Sequence, residues 1–566
     1  MTAFAANQCT VARSPLSAQR AMQVTVFVGK GLIVIMIFLL AASVGAKAAV
    51  EIYPAPAGET NGARIELWFG SQKIPLAPRK IFHSDSKGQD FMEIEFARFA
   101  TDDRVPLRLV SPQTKPGQAM LRTVGKDLPL QVLGKNSLEF ELPGPGQYYL
   151  QLPSLAQTNS TFTVVFWVDD LQRLEQFRAQ AQAPKVVNVA DKGILSHPNL
   201  DQTKAVQSAL DRGGLLYFPP GIYRISTIRI HSDTTIFLAP SAVLRALPGE
   251  SSVGPEFIAI EKAEHVRICG PGAIDANSFT FRRQHNVHNV NITSCRDVTF
   301  EDVLFEESNS WAVHIRKCDH FAASNVRVLS GKDGFDPDAS RDVLIDGAFV
   351  ISGDDGIAVK NRFPEEADGK VTERVVFRNS IVSTFKSALK IGTETKGPVR
   401  DITFEKCDVF DADRGIVLYA NDGGPVERAV WRNIRLFMKD WPREKESGSV
   451  FHLMVMRREA PTPVRDCLIE NVAANWIYRS EFAGLSDAPL NGVTFRNIRA
   501  TVELPKANQP SLFVCRDNVD VPVQNLAVDW QGHQSRWSGV VLGKGLTLTG
   551  LTESGRDKIN SVKEME

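Results

Sequence analysis

Two stretches of the chain concentrate carboxylates: Gly331-Lys-Asp-Gly-Phe-Asp-Pro-Asp338 and Gly353-Asp-Asp-Gly-Ile-Ala-Val-Lys360. Asp333 and Asp354 are 21 residues apart, and Asp336 and Asp355 are 19 apart. If one structural repeat has about that length, all four acids gather on one lateral face. Like charges held close raise the pKa of at least one member. That is costly for stability but useful where one carboxyl must stay protonated beside another that stays ionised. Hydrolysis of a glycosidic bond divides labour in this way, with one acid for the leaving oxygen and one base for water. The same residues also suit turns, where Asp-Gly and Gly-Asp are ordinary, or a calcium site. Trp311 and His314 stand about one repeat earlier, where a tryptophan either stacks on a sugar ring or is buried. Lys360 follows the acid pair on the same strand, placed either to hold Asp355 ionised or to point outward.

The surrounding sequence repeats. Apolar-x-apolar triplets occur at Val298-Thr-Phe300, His320-Phe321-Ala322, Val343-Leu-Ile345, Val375-Val-Phe377, Ile402-Thr-Phe404, Val430-Trp431-Arg432 and Val493-Thr-Phe495. Many are followed by Asn or Asp and a second short strand, such as Val326-Arg-Val328 or Ala348-Phe-Val350. Most spacings fall in the twenties, few helical patterns intervene, and regular hairpin punctuation is missing. Short strands repeating at that period predict a solenoid. The expected fold is all-β: a right-handed parallel β-helix, its coils about 4.8 Å apart, preceded by a small antiparallel β-sandwich. The sandwich is expected over residues 49–178, from alternating strands such as Thr161-Phe-Thr-Val-Val-Phe-Trp-Val168 with Pro and Gly between them. A linker over 179–200, the β-helix over 201–555 and a tail over 556–566 complete the division. Asp201 to Leu210 predicts a short amphipathic helix able to cover the end of the solenoid core.

Residues 1–48 contain Arg13, Arg20, Lys30 and Lys47 and no acid, around the apolar run Gly31 to Ala46. That run is shorter than the about 20 residues of a spanning helix. Ala46-Lys47-Ala48 has the A-x-A form of a signal-peptidase site. A cleaved export signal to the periplasm or exterior is expected; the alternative is a retained signal anchor. Six of the seven cysteines lie beyond it, in a context that permits disulfides. Cys295, Cys318 and Cys407 nevertheless read as equivalent buried positions of stacked repeats. The 65 basic and 65 acidic side chains balance, with no basic block, which argues against a nucleic-acid binder.

The motifs Thr227-Ile-Arg-Ile-His-Ser-Asp-Thr-Thr-Ile-Phe-Leu-Ala-Pro-Ser-Ala-Val-Leu244, Gly270-Pro-Gly-Ala-Ile-Asp275, Asn309-Ser-Trp-Ala-Val-His-Ile315, Asp333-Gly-Phe-Asp-Pro-Asp338 and Gly353-Asp-Asp-Gly-Ile-Ala-Val-Lys360 occur in this order. Over roughly residues 185–440 the chain thereby resembles glycoside hydrolase family 28, the pectin-degrading polygalacturonase family, built on a parallel β-helix. The family signature runs Asn-Thr-Asp, Gly-Asp-Asp, Gly-His-Gly, Arg-Ile-Lys. Here Gly331-Lys332-Asp333 keeps only the aspartate of the first, and Gly353-Asp354-Asp355 keeps the second whole. The resemblance implies Asp354 as general acid, Asp333 with Asp355 holding the attacking water, and inversion in one displacement. Ser387 stands where the family histidine would be, and Val417 and Tyr419 stand where its arginine and lysine would be. A valine does not replace a bidentate guanidinium contact to a uronate carboxylate. A neutral sugar, a differently charged one, or a rhamnogalacturonan-type backbone therefore fits better than galacturonate there. Asp336, Trp311, His314, Lys360, Lys390, Glu394 and Arg414 are the candidate substrate-binding residues, the last three equally readable as solvated charges.

The expected function is thus an exported inverting glycosidase acting on a pectic or related glycan, working as a monomer without cofactor or metal. It would have no nucleic-acid partner, and no membrane partner once the signal is cleaved. Two alternatives stand beside it: a polysaccharide lyase on the same fold, and a glycan-binding β-helix that has lost catalysis.

Overall fold

In the computed structural model the described residues are 27–29, 32–34, 49–55, 62–85, 90–112, 118–155, 160–249, 252–279, 285–363, 371–441, 448–502, 509–531 and 537–555. Residues 1–48 form a unit of their own, in which the short strands Phe27–Gly29 and Leu32–Val34 pair antiparallel. The remainder of the expected export signal lies outside the described residues, as does the tail 556–566. Among the described residues no helix is long and apolar enough to cross a membrane.

The second unit, Ala49–Glu566, opens with two largely antiparallel sheets of seven and five strands among the described residues. The alternation in Ser160–Asp170 shows how they are used. Phe162, Val164, Phe166 and Val168 point into the core between the two sheets, with Leu67, Leu109 and Phe140 opposite. Val165 and Trp167, the intervening positions, are buried too, but against Phe349, Ile351, Phe385 and Phe410 of the solenoid. A strand apolar on both faces is one covered on both faces. Polar contacts fix the same seam: Tyr149 Oη donates to Asp411 at 2.7 Å, Arg79 pairs with Glu306 at 2.9 Å, and the fully buried Arg327 pairs with Asp169 at 2.5 Å.

The chain then crosses by the helix Leu171–Ala181, whose first turn is capped by Asp170, into a right-handed parallel β-helix. The solenoid's first strand is Val187–Asn188. The helix Thr203–Leu210 places Val206, Ala209 and Leu210 over the first coils of the core. Each coil adds strands to a 23-stranded and a 12-stranded parallel sheet among the described residues. The apolar triplets stack in register: Val298 on Phe321, Val343, Val375 and Ile402, and Phe300 on Ala323, Ile345, Phe377, Phe404 and Trp431. Two triplets are displaced by one residue from the sequence reading, to Phe321-Ala322-Ala323 and Ala429-Val430-Trp431. His320 lies within the strand Asp319–Ser324 but, like Asp297, Asp342, Arg374, Asp401 and Arg428, adopts positive φ, so the regular inward alternation starts at Phe321.

All six cysteines beyond residue 48 are buried free thiols. Cys295 and Cys318 share one corner of successive coils, the Asp319 N–H donating to the Cys295 carbonyl. Cys407 is not equivalent to them: it pairs with Ser380 and Ile434 at another corner.

Phe349 lies under both Tyr149 and Trp167, with ring centroids at 6.4 and 5.7 Å. Phe349→Ala should cost about 3–5 kcal/mol, and sandwich and solenoid should still unfold in one transition on calorimetry. Two separate transitions would show that the seam does not couple them.

Candidate active site

Three successive coils pass from the larger sheet to the smaller one through short turns. Ser330 pairs with Ser352 and Ser352 with Thr384 before the turns, and Phe335 pairs with Ile357 and Ile357 with Leu389 after them. Asp333, Asp355 and Ser387 are therefore equivalent positions, and so are Lys332, Asp354 and Lys386. This corrects the pairing expected from the sequence: the coil here is 22 residues long, so Asp333 stacks on Asp355, not on Asp354. The next coil is 32 residues long and brings in Ser387. The coils stack so closely that a Cβ on Gly334 would sit 2.4 Å from the Gly356 carbonyl oxygen.

The stacking brings one carboxylate oxygen from each of Asp333, Asp354 and Asp355 within 4.8 Å of the others. Asp333 and Asp355 are recessed, each 5% exposed, whereas Asp354 is half-buried and reaches the surface. Asp355 is the most heavily held. The Ser387 N–H donates to its Oδ1 at 3.1 Å, and Lys390 Nζ donates to its Oδ2 at 2.6 Å. The Asp355 N–H in turn donates to Asp333 Oδ1 at 3.2 Å. Lys360 Nζ pairs with Asp336 at 2.5 Å and lies 3.5 Å from Asp333. Asp354 receives a hydrogen bond from outside the solenoid, from Ser84 Oγ to Oδ2 at 3.2 Å.

These partners split the acids. Burial raises the pKa of Asp354, and the charges of Asp333 and Asp355 add to it, giving about 7. Burial and the neighbouring Asp336 push Asp333 well above the ordinary carboxylate range. Burial also works against ionised Asp355, but Lys390, by charge and hydrogen bond, outweighs it and brings the group below its usual value. Asp336 is raised to about 6 by burial, which the Lys360 ammonium opposes. Lys360 itself is driven upward: Asp336 and Asp333 more than offset its burial, so it keeps its charge. The cluster therefore holds an ionised carboxylate, Asp355, directly beside a protonatable one, Asp354. The three converging oxygens have the form of a cation site, and two ammonium groups, Lys360 and Lys390, are paired with acids of the same cluster.

The other sequence candidates fall in different places. Lys360 bonds Asp336 and Asp333, not Asp355, and is buried; the cation on Asp355 is Lys390. Lys390 is thus neither a solvated charge nor exposed. Trp311 stands one coil before Asp333 and is half-buried; Lys360 Nζ lies 4.1 Å and the Arg362 guanidinium 4.9 Å from the centre of its ring system. His314 is buried behind it, its Nε2 3.1 Å from Arg362 and 3.5 Å from Asp338, so it braces Trp311 and Arg362. Glu394 is half-exposed, 4.0 Å from Arg458, and its charge adds to the field on Lys360. Arg414 is in the file of Asp333, Asp355 and Ser387, 3.2 Å from Asp413. Val417 is fully buried, and Tyr419 Oη is 2.9 Å from His452 Nδ1.

Three participants escaped sequence reasoning. Lys386, equivalent to Asp354 one coil on, lowers the pKa of that acid. Arg362 lies beyond the strand that carries Lys360. Ser84 comes from the sandwich, and no local pattern marks it.

Residues 223–436 match the family model described as glycosyl hydrolases family 28. A curated relative, a probable polygalacturonase from Vitis vinifera, is 23% identical over 367 residues, 56% of this chain and 74% of its own length. Among solved structures, an exopolygalacturonase from Thermotoga maritima superposes with a TM-score of 0.51 at 16% identity, covering 63% of this chain and 96% of that one. Dex49A from Penicillium minioluteum superposes with the same TM-score, 0.51, at 10% identity, covering 88% of this chain and 96% of its own. These last two share the fold. Residues 223–436, within the β-helix, thus resemble the glycosyl hydrolases of family 28, and the resemblance supports a glycosidase.

Proposed function

We propose that the protein is an exported glycoside hydrolase that cleaves a pectic or related glycan with inversion at the anomeric carbon. The observation that carries this reading is the split within the carboxylate cluster, with Asp354 raised to about 7 and Asp355 held ionised by Lys390. Asp354, the one that reaches the surface, protonates the leaving glycosidic oxygen. Asp355 takes a proton from the attacking water, which Asp333 helps to orient. The new carbon–oxygen bond forms as the glycosidic bond breaks, and solvent restores both protonation states.

The three oxygens lie within 4.8 Å of one another, closer than the about 6.5–9.5 Å usual between acid and base in inverting enzymes. Exposure favours inversion all the same. Asp333 and Asp355 are recessed, which leaves them access to a water but a poor approach for a covalent bond to a sugar carbon. The α or β form of the first product, read by proton NMR, decides between the two outcomes. Inversion is expected, and retention would overturn this part of the reading.

On the substrate, the names of the relatives point to galacturonan, while this site's own residues point away from a galacturonate carboxylate beside Val417 and Tyr419. Val417 is buried, and Lys360 and Lys390 are occupied by the protein's own acids. We therefore place a ring without that carboxylate there, as in a neutral glycan or a rhamnogalacturonan-type backbone. Export is supported by the apolar run and A-x-A site before Ala49. N-terminal sequencing of the secreted protein should begin at or near that residue.

Asp354→Asn should abolish release of reducing ends, by at least about 1,000-fold, from a panel of polygalacturonate, rhamnogalacturonan and galactan, with the thermal midpoint preserved. Full activity in this variant would reject the acid assignment, and products absorbing in the ultraviolet would indicate elimination instead.

The pH profile follows from the same groups. Activity needs Asp354 protonated and Asp355 ionised, so kcat/KM should fall above a pH of about 7 and persist into the acid range. Lys390→Met removes the cation that depresses Asp355 and lets its pKa rise. The acid limb of kcat/KM should therefore move to higher pH while the alkaline limb stays near its place or rises. An unchanged acid limb would show that Lys390 does not tune the base.

A further inference from the structure

The sandwich does more than pack against the solenoid. Its hairpin strands Ala77–Phe82 and Phe91–Thr101 pair antiparallel, and the residues just after the first strand reach the acid turn. The Ser84 N–H donates to the Gly353 carbonyl at 3.0 Å, and Ser84 Oγ donates to Asp354 Oδ2 at 3.2 Å. Asp85 pairs with Lys386 at 3.2 Å, and the His83 ring lies 5.1 Å from that of Phe385. A Cβ on Gly353 would stand 2.2 Å from the Phe82 carbonyl oxygen. The glycine before the two aspartates is therefore required by the passage of the hairpin over it.

We propose that Ser84 is a positioning residue for Asp354, so that the N-terminal sandwich completes the active site. The inference rests on the reading of Asp354 as the general acid. A hydroxyl that donates to Oδ2 keeps that oxygen an acceptor, which leaves the transferable proton to Oδ1. It also limits the rotation of a half-buried side chain whose backbone is held by the solenoid, where Ser352 Oγ and, from the next coil, Thr384 Oγ1 donate to the Asp354 carbonyl. The Asp85–Lys386 pair anchors the same hairpin to the adjacent coil and sets the position of a cation that acts on Asp354. The charged groups facing Asp354 are Asp333 and Asp355, which raise its pKa, and Lys390 and Lys386, which lower it. Ser84 adds a neutral donor to the ionised form, and its removal raises the pKa further.

The test uses the full chain, assayed on whichever of polygalacturonate, rhamnogalacturonan and galactan the wild type cleaves, with Asp354→Asn run in parallel. Ser84→Ala should lower kcat about five- to tenfold, the worth of one ordinary hydrogen bond, and leave KM within about twofold. The alkaline limb of the pH profile should move up by about half a unit. Ser84→Thr, which keeps the hydroxyl, should restore both. Wild-type kcat and an unmoved alkaline limb in Ser84→Ala, with Asp354→Asn inactive, would overturn the proposal while leaving the acid assignment intact. Loss in Ser84→Ala that Ser84→Thr fails to restore, with the limb unmoved, would also reject it. Activity in Asp354→Asn would instead remove the reading on which it rests.

Discussion

Four carboxylates crowd one flank of this solenoid with two buried lysines among them, and the imbalance governs the chemistry. Desolvating an isolated carboxylate is expensive, and a buried acid gives up its charge unless a cation or hydrogen bonds hold it. Lys390 is committed to Asp355 and Lys360 to Asp336. Among the described residues no cation is paired as closely with Asp333 or Asp354, so these two carry the protons. A uniformly ionised or uniformly neutral cluster would have no use in acid–base hydrolysis. Unequal sharing of two cations among four acids produces the inequality that such a reaction requires.

The architecture supplies the crowding without spending a long loop on it. Parallel coils repeat at about 4.8 Å, so any residue at a turn meets its counterpart in the next coil at nearly that distance. Asp333 and Asp355 approach because Phe335 is paired with Ile357, and Lys390 arrives because Ile357 is paired with Leu389. The cost of holding like charges is met by the apolar stack beneath, where Phe300, Phe377, Phe404 and Trp431 occupy one file. The sandwich adds a second buried layer along the flank, and through Tyr149, Trp167 and Phe349 it makes the hairpin a fixed part of the site.

The solenoid was legible because its signal is periodic: triplets of apolar residues recur, and chance does not sustain that over many coils. The acids were legible for the same reason, as glycine–aspartate turns on consecutive repeats. Their pairing was misread by one position because spacing cannot tell an element shared between coils from its neighbour; only the register of Phe335 with Ile357 decides it. Lys390 was seen as an ambiguous charge, since its coil is lengthened to 32 residues and its distance along the chain no longer announces its partner. Lys360 was read toward Asp355, but its place opposite Asp338 turns it to Asp336 and Asp333. Ser84 was invisible: it is 270 residues from Asp354, in a turn of the sandwich, and a lone serine there carries no pattern.

The most direct measurement is a carbon-13 titration of aspartate carboxyl groups in the labelled full-length protein, with signals assigned by single Asp→Asn variants. The account requires Asp354 to titrate near pH 7 while Asp355 remains ionised to below the ordinary aspartate range. If Asp333, Asp354 and Asp355 instead titrated together near the value of a free carboxylate, the cluster would hold no proton to donate, and the proposed chemistry would lose its basis.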